Sequence, residues 1–207
     1  MLLRRADVVA GALGLLDAEG LDGLTMRKLG AALNVQAGAL YRHFANKEAL
    51  IDAMAEELLA GVGAPVSEAP WPEQVRELAG RLRTALLSRR DGARVVAGTY
   101  VPAANTHRAG RVAVELLCSA GMPPEQAGWI TFAVFYYVLG HTIEEQALRQ
   151  LPDGDDWKSR LAAAEADDSV FYTRALKSVV ETDPAERFRF GLDVFVDGLA
   201  QRLRPGP

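Results

Sequence analysis

Residues 24–50 read LTMRKLGAALNVQAGALYRHFANKEAL, and this stretch predicts two short helices separated by a tight turn. Thr25 is a favourable N-cap residue for the first of them. The apolar residues that follow repeat at helical spacing and are Met26, Leu29, Ala32 and Leu33. The repeat stops at Asn34, which tolerates the left-handed backbone that a turn requires.

A second amphipathic segment follows the turn. Its inward side is expected to carry Val35, Leu40 and Phe44, and its outward side Gln36, Ala39, Arg42 and His43. This layout is typical of a helix-turn-helix, whose second helix lies in the major groove of DNA. An arbitrary apolar-turn-apolar segment is more often an ordinary helical hairpin, but the order and spacing here favour DNA binding. Lys47 then begins a third helix, where its ammonium group can meet a phosphate.

At these residues the chain resembles the TetR family of bacterial transcription regulators. The matching segments are residues 24–29 (LTMRKL), 39–44 (ALYRHF) and 46–50 (NKEAL). Residues 85–95 (ALLSRRDGARV), the pair Gly98-Thr99 and residues 139–146 (LGHTIEEQ) look like the effector domain of the tetracycline repressor. The resemblance implies an all-α homodimer with three N-terminal helices for DNA and about seven for effector binding and dimerisation.

The side chains expected at DNA lie in and around the two motif helices. Base readout is assigned to Arg27, Gln36 and Arg42, because Ala37, Gly38 and Ala39 offer at most methyl contacts. Phosphate contacts are expected from the remaining polar residues, and the family uses the position of Tyr41 in this way. The complete predicted set is Thr25, Arg27, Lys28, Gln36, Ala37, Gly38, Ala39, Tyr41, Arg42, His43 and Lys47. So few base-reading side chains predict modest readout per half-site, with specificity gained when a dimer binds a palindromic operator.

Composition and charge permit this interpretation. The 207 residues carry a net charge of −4, but residues 1–50 hold six Lys or Arg against five Asp or Glu. A near-neutral head with cations on one face is sufficient for phosphate contacts. The single cysteine, Cys118, favours a reducing cytoplasm, and its apolar neighbours predict a core residue rather than a redox sensor. No signal peptide is apparent, the most apolar run is too short to span a membrane, and a cytoplasmic location is expected.

Helical periodicity extends along the whole chain, and no segment alternates as a strand would. The predicted DNA-binding domain spans residues 1–46, and the effector-binding and dimerisation domain spans residues 47–207, beginning with a connecting helix over 47–60. Arg4 and Arg5 are expected to form a flexible basic lead, followed by a helix over 7–19 that stops at Gly20. Further helices are predicted over 71–89, 91–98, 104–120, 125–148, 170–180 and 184–203. Residues 151–156 predict a loop, and the segment 151–169 has no assigned role.

Dimerisation is assigned to the helices over 125–148 and 184–203. The first is apolar nearly all round and should be central. The second carries an apolar stripe of Phe188, Leu192, Phe195 and Leu199. Packing of these faces against a symmetry mate predicts a four-helix bundle.

An effector pocket is expected between the long body helices. Its predicted residues are Leu82, Leu86, Val96, Thr99, Tyr100, Ala113, Trp129, Phe132, Tyr136, Tyr137, His141 and Glu144, the last reaching in from the partner subunit. A polar network at the dimer interface is an equally open interpretation of Tyr136, Tyr137, His141 and Glu144.

The resemblance also reveals departures from the tetracycline repressor. Val96 stands at the position of its metal-binding histidine, Tyr136 at that of a second pocket histidine, and Leu78 and Leu82 replace an asparagine and a phenylalanine. Since Mg²⁺ requires at least one protein ligand, binding of tetracycline–magnesium is not expected, and no metal site or cofactor is predicted. A flat, largely hydrophobic effector suits such a pocket.

Enzymatic activity is not expected. The chain has no nucleophile-elbow, phosphate-loop or dinucleotide motif, and three scattered histidines with one cysteine do not make a zinc site. The predicted function is ligand-responsive repression, in which an effector shifts the connecting helix and changes the separation of the recognition helices. Activation, regulation without an effector, and a purely structural helical dimer remain open alternatives. No membrane partner is predicted.

Overall fold

The computed structural model describes residues 3–99, 103–152, 159 and 170–203, and within them the chain forms ten helices and no strand. The head contains α1 (Arg5–Gly23), α2 (Met26–Ala32) and α3 (Ala37–Leu40), and α4 (Lys47–Leu58) connects it to the body. The body contains α5 (Trp71–Leu87), α6 (Gly92–Ala97), α7 (Ala104–Ser119), α8 (Pro124–Arg149), α9 (Val170–Glu181) and α10 (Pro184–Arg202). The all-α prediction is confirmed. None of the described helices is long and apolar enough to span a membrane.

The head folds around a small apolar core that it shares with α4. Leu16 of α1, Leu29 of α2 and Leu40 of α3 are fully buried, together with Met54 of α4. Because about fifty residues bury little surface on their own, this shared core ties the head to the connecting helix.

Local backbone features of the helix-turn-helix agree with the sequence. The Thr25 hydroxyl oxygen accepts a hydrogen bond from the Lys28 N–H at 3.2 Å, which caps α2. Asn34 adopts the predicted left-handed conformation, with φ 54°. Gly30 permits the close turn, since a Cβ there would lie 2.9 Å from the Val35 carbonyl oxygen. The Asn46 side chain caps α4 by accepting from the Ala49 N–H at 2.8 Å.

The helical conformation of α1 breaks at the predicted stop, Gly20, with φ 73°, and a short helical segment continues to Gly23. Ala32 is exposed, whereas Met26 and Leu29 of the same apolar repeat are buried. The structure corrects one prediction in the head. Arg4 and Arg5 are not a free basic lead. Arg4 pairs with Asp7 at 3.2 Å, and Arg5 donates to the His43 carbonyl oxygen at 2.8 Å.

The body is built around α5, α7 and α8, with α10 packed on α5 and α8. The predicted dimer stripe on α10 is wrong, because Phe188, Leu192 and Leu199 are buried in their own chain, at 3–4% exposure. Phe195 is half-buried, with its ring 5.4 Å from that of Tyr137. Cys118 is half-buried against the core, close to the prediction. Of the predicted loop over 151–156, only residues 151 and 152 are described, and residues 153–156 lie outside the described residues.

Large apolar side chains of α8 and α10 remain exposed on a different face. On α8 these are Trp129 (72% exposed), Phe132 (59%) and Tyr136 (63%), and on α10 they are Phe190 (74%) and Val194 (61%). Single exposed hydrophobic residues need no explanation, but several large ones on two helices that pack together typically mark an interaction surface. We call these five residues the aromatic face.

Candidate DNA-binding surface and effector cavity

The helix-turn-helix presents most of the predicted DNA-contacting residues to solvent. The exposed members are Thr25, Arg27, Lys28, Gln36, Gly38, Tyr41 and Arg42, and the half-buried members are Ala37, Ala39, His43 and Lys47. Gln36 is the N-cap residue of α3, and Tyr41 and Arg42 lie in the turn that follows this four-residue helix. The geometry therefore allows these residues to meet one surface of a duplex.

Two intramolecular contacts set the charge and position of this surface. The Lys28 ammonium group pairs with the Glu19 carboxylate of α1, so an acid competes with phosphate for this cation. The Arg5 guanidinium lies 4.1 Å from the centre of the Phe44 ring and also holds the His43 carbonyl. Arg5 thus fixes the end of the recognition segment. Sequence reasoning missed both contacts, because neither partner lies at a helical spacing from the other.

A cavity of about 750 Å³ lies between α5, α7 and α8, beside the end of α4. Its wall is predominantly apolar. The residues that line it are Leu59, Val62, Val75, Leu78, Ala79, Leu82, Thr99, Thr106, His107, Ala109, Gly110, Arg111, Ala113, Val114, Leu116, Leu117, Gly128, Ile130, Thr131, Phe132, Val134 and Phe135. Its volume is within the range of about 300–1,000 Å³ that is usual for small-molecule sites.

The cavity differs from the predicted pocket in its position along α8. Four predicted residues line it, namely Leu82, Thr99, Ala113 and Phe132. Leu86 and Val96 lie in the core instead, and Trp129, Tyr136 and Glu144 are exposed. Tyr137 and His141 are also absent from its wall. Tyr100 lies outside the described residues.

Tyr137 and His141 pack against α10, which explains why they miss the cavity. The Tyr137 hydroxyl donates to the Phe188 carbonyl oxygen at 2.8 Å, and its ring stacks on that of Phe188 at 5.6 Å. Burial raises the pKa of Tyr137. Burial also lowers the pKa of His141, against the opposing effect of Glu145, so this imidazole favours its neutral form. These side chains therefore join two helices of one protomer.

Sequence reasoning predicted Ala113 of α7 at the cavity but missed other residues of this helix. Thr106, His107, Gly110 and Arg111 also line it. The apolar periodicity of α7 indicates an amphipathic helix, but periodicity alone does not show that its inner face meets a space rather than a packed core.

The polar groups of the cavity wall differ in how their hydrogen bonds are used. The Thr99 hydroxyl donates to the Val95 carbonyl oxygen at 3.0 Å. The Thr131 hydroxyl oxygen is buried and has no hydrogen-bond partner among the described residues. A buried hydroxyl without a partner costs stability, and rotation about Cα–Cβ would exchange its position with that of its methyl group. Thr131 is therefore a candidate polar contact for a ligand.

The connecting helix is bonded to the first turn of α7. Ala103 precedes α7 and offers no capping side chain, and the Glu56 carboxylate of α4 takes that role. It accepts from the Asn105 N–H at 2.6 Å and from the Thr106 N–H and hydroxyl at 3.4 Å. The Asn105 side-chain amide donates back to the Glu56 carbonyl oxygen at 3.0 Å. Since Thr106 also lines the cavity, one network joins the cavity wall to α4.

A second junction joins the head to the body around Asp91. This residue is buried, with a left-handed backbone (φ 55°). Its carboxylate accepts from the Leu21 N–H of α1 at 2.8 Å and from the Gln150 side chain at 3.0 Å. Desolvation alone would raise the pKa of Asp91, but these hydrogen bonds and Arg94 lower it. The ionised form is therefore favoured.

Gln146 of α8 holds the adjoining turn between α5 and α6. Its side chain donates to the Leu86 and Arg89 carbonyl oxygens at 3.0 and 2.7 Å and accepts from the Ala93 N–H at 3.1 Å. The two C-terminal segments that carry the family resemblance therefore meet in space at this glutamine.

Comparisons with known proteins match both parts of the chain. The family model for "Bacterial regulatory proteins, tetR family" matches residues 8–54, and that for "Tetracyclin repressor-like, C-terminal domain" matches residues 64–203. The tetracycline repressor protein class G of Vibrio anguillarum is 38% identical, over 98% of this chain and 95% of its own.

Two solved structures from Streptomyces coelicolor are similar over nearly their whole length. A possible TetR family transcriptional regulator is 41% identical, with a TM-score of 0.87 over 96% of this chain and 99% of its own. The TetR family protein ActR, in complex with actinorhodin, is 26% identical, with a TM-score of 0.87 over 99% of this chain and 100% of its own. Together with the helix-turn-helix geometry, these matches establish that the chain belongs to the TetR family of bacterial transcription regulators, with a C-terminal domain of the tetracycline-repressor type.

Proposed function

We propose that this regulator is a homodimeric repressor that binds a palindromic operator and leaves it when a largely apolar small molecule fills the cavity. The Glu56 network carries this proposal, because it bonds the helix that supports the DNA-binding head to a helix that lines the cavity.

The DNA-binding half of the proposal rests on the exposed surface of α2 and α3. Arg27, Gln36 and Arg42 are exposed side chains of the types that read base edges in the major groove. Two recognition helices of a dimer must lie about 34 Å apart to enter successive turns of one face of the duplex. A change in that separation would therefore release the operator.

The dimer is supported by the aromatic face. Its residues lie on α8 and α10, the two helices to which the sequence assigned dimerisation, although the α10 stripe is a different one. Covering these side chains with the same face of a second copy would form a bundle of four helices, two from each subunit. Self-complementary packing of this kind is typical of two-fold dimers.

The effector half rests on the size and chemistry of the cavity. Leu78 and Leu82 line it, and the position that would carry a metal-binding histidine holds the core residue Val96. These side chains offer no oxygen or nitrogen ligand to Mg²⁺. We therefore propose an effector that binds without a metal ion, in contrast to a tetracycline–magnesium complex, with apolar burial as the main source of affinity.

The coupling follows from the geometry of the Glu56 network. A ligand that moves the first turn of α7 must either move α4 with it or break charge-assisted hydrogen bonds, which are stronger than neutral ones. Moving α4 moves the head. The ligand would thus select a conformation with the wrong separation of recognition helices.

The test is a gel-shift titration on the intergenic DNA beside the gene, with and without candidate apolar compounds. The wild type should bind one palindromic site and lose it when an active compound is added. Arg42→Ala should weaken operator binding without lowering the thermal stability. If the ligand instead strengthens operator binding, the protein is a ligand-dependent activator or a repressor that requires a co-repressor. Release by an effector is then refuted.

Variants of α4 test the coupling separately. Glu56→Gln should keep operator affinity within about twofold, keep ligand binding, and reduce the ligand-induced loss of DNA affinity severalfold, since it weakens the bonds to α7. The matched control is Glu57→Gln, which removes the same charge from the adjacent exposed position. Equal responses of the two variants to ligand would contradict the proposed route.

A further inference from the structure

We propose that the effector carries an anionic group, which Arg111 and His107 hold at the mouth of the cavity while the apolar body of the molecule lies inside. This inference rests on the proposed function, which places the effector in this cavity. It adds the chemical class of the ligand, an amphipathic organic acid rather than a neutral hydrocarbon or an amine.

The two basic side chains are placed together by the helix that carries them. His107 and Arg111 are four residues apart on α7, so they lie on the same side of the helix, one turn from each other. Both line the cavity, and both are exposed to solvent. Residues that meet both the cavity and the solvent lie at its mouth.

The hydrogen-bonding capacity of Arg111 is largely unused. Its only ion-pair partner in the described part of the chain is Glu115, with one guanidinium nitrogen 3.4 Å from each carboxylate oxygen. The two side chains are 65% and 62% exposed, and exposed pairs of this kind contribute little to stability. The His107 side chain has no hydrogen bond or ion pair within the described residues. Both side chains are therefore available to a ligand.

The charge of the cavity wall favours an anion over a cation. Among the described residues that line the cavity there is one arginine and no aspartate or glutamate. The nearby Glu56 carboxylate is occupied by the first turn of α7. A positive group at the rim of an apolar space is weakly screened on the side of the protein, so it raises the local concentration of anionic ligands. A guanidinium group can also bind a carboxylate or sulfonate through two parallel hydrogen bonds.

Two fluorescent probes that differ only in charge test this inference. 1-Anilinonaphthalene-8-sulfonate is an aromatic anion, and N-phenyl-1-naphthylamine is the same ring system without the sulfonate. Titrations of the full-length protein should show that Arg111→Met weakens binding of the sulfonate about tenfold and changes binding of the neutral probe less than twofold. The matched control is Arg108→Met, which removes a cation from an exposed residue of the same helix that does not line the cavity. This control should leave both affinities unchanged.

A cavity-filling variant assigns the signal to the cavity rather than to the aromatic face. Gly128 lines the cavity, and a Cβ there would meet no atom within 4 Å. Gly128→Leu should therefore fold, since it also improves helix propensity, and should abolish binding of both probes.

Each outcome either supports the inference or overturns it. Equal losses for the two probes in Arg111→Met would mean that its side chain acts through packing, and would overturn the inference. If Arg111→Met and Arg108→Met weaken binding of the sulfonate equally, the effect is one of net charge, and the inference is also overturned. If Arg111→Met leaves binding of the sulfonate unchanged while Gly128→Leu blocks both probes, this inference is overturned and the cavity remains a ligand site. If neither probe binds the cavity, the proposed effector site fails together with this inference.

Discussion

Replacing Phe190 with glutamate should convert the proposed dimer into a folded monomer. Phe190 is the most exposed aromatic side chain of the aromatic face, at 74%. It lies one turn from Val194 on the same surface of α10. A charge at this position would have to be buried in the bundle of four helices, but it would be solvated in the free protomer. The substitution therefore opposes association without disturbing the core of the chain.

The magnitude follows from the exposed area. A phenylalanine side chain buries on the order of 150 Å², and the 74% still exposed in the protomer leaves about 110 Å² to be covered by the partner. At about 25 cal/mol per Å² this is about 3 kcal/mol for each copy, and two-fold symmetry doubles it. The dissociation constant should then rise by about four orders of magnitude. Desolvation of the new carboxylate would increase the effect further.

Sedimentation velocity across a concentration series measures the association, and circular dichroism melts measure the fold. Leu192→Glu is the contrasting variant, because Leu192 is buried in its own chain at 3% exposure. It should unfold or aggregate rather than give a stable monomer. A Phe190→Glu protein that still sediments as a dimer with unchanged affinity would refute the assignment of this face. A Phe190→Glu protein that fails to fold would refute the claim that the protomer does not need this side chain.

Three further predictions concern other contacts. Glu19→Gln should free the Lys28 ammonium group for phosphate, so fluorescence anisotropy at several salt concentrations should show severalfold tighter DNA binding and a salt slope steeper by about one; an unchanged slope would mean that Lys28 does not reach DNA. Thr131→Val should raise the free energy of unfolding in urea by about 1 kcal/mol, because it removes a buried hydroxyl without a described partner; a loss of stability would show that the hydroxyl is hydrogen-bonded. Asp91→Asn should lower stability at neutral pH, since the folded state lowers the pKa of Asp91 and therefore gains stability above its unfolded value of about 3.9. The difference from wild type should shrink as the pH falls through the folded pKa, and a pH-independent difference would contradict this explanation.

The sequence by itself determined the parts of the protein that depend on neighbours along the chain. Thr25 and Asn46 each accept a hydrogen bond from an N–H three residues away, and Asn34 supplies a left-handed turn residue at one position. Such features involve a few consecutive residues, so their residue types and spacing suffice to predict them. For this reason the helix-turn-helix, the all-α class and the family resemblance could be predicted from the sequence.

Only the tertiary structure decided which faces meet. Two apolar stripes run along α10, one containing Phe188 and Leu192 and the other containing Phe190 and Val194, and helical periodicity gives no reason to prefer either for the core of the protomer. Packing on α5 and α8 resolves this, since it buries the first stripe and leaves the second exposed.

The cavity and its connection to DNA binding depend on contacts between residues far apart in the chain. Glu56 bonds Asn105 across 49 positions, and α4 and α7 come close because a glycine at position 63 lets α7 approach, where a Cβ would lie 2.7 Å from the Ala109 nitrogen. From the sequence alone, a carboxylate on α4 is expected to be a solvated charge on the helix surface. It becomes the cap of another helix only when the fold brings an uncapped N-terminus beside it, because the hydrogen-bonding need it satisfies belongs to a different part of the chain.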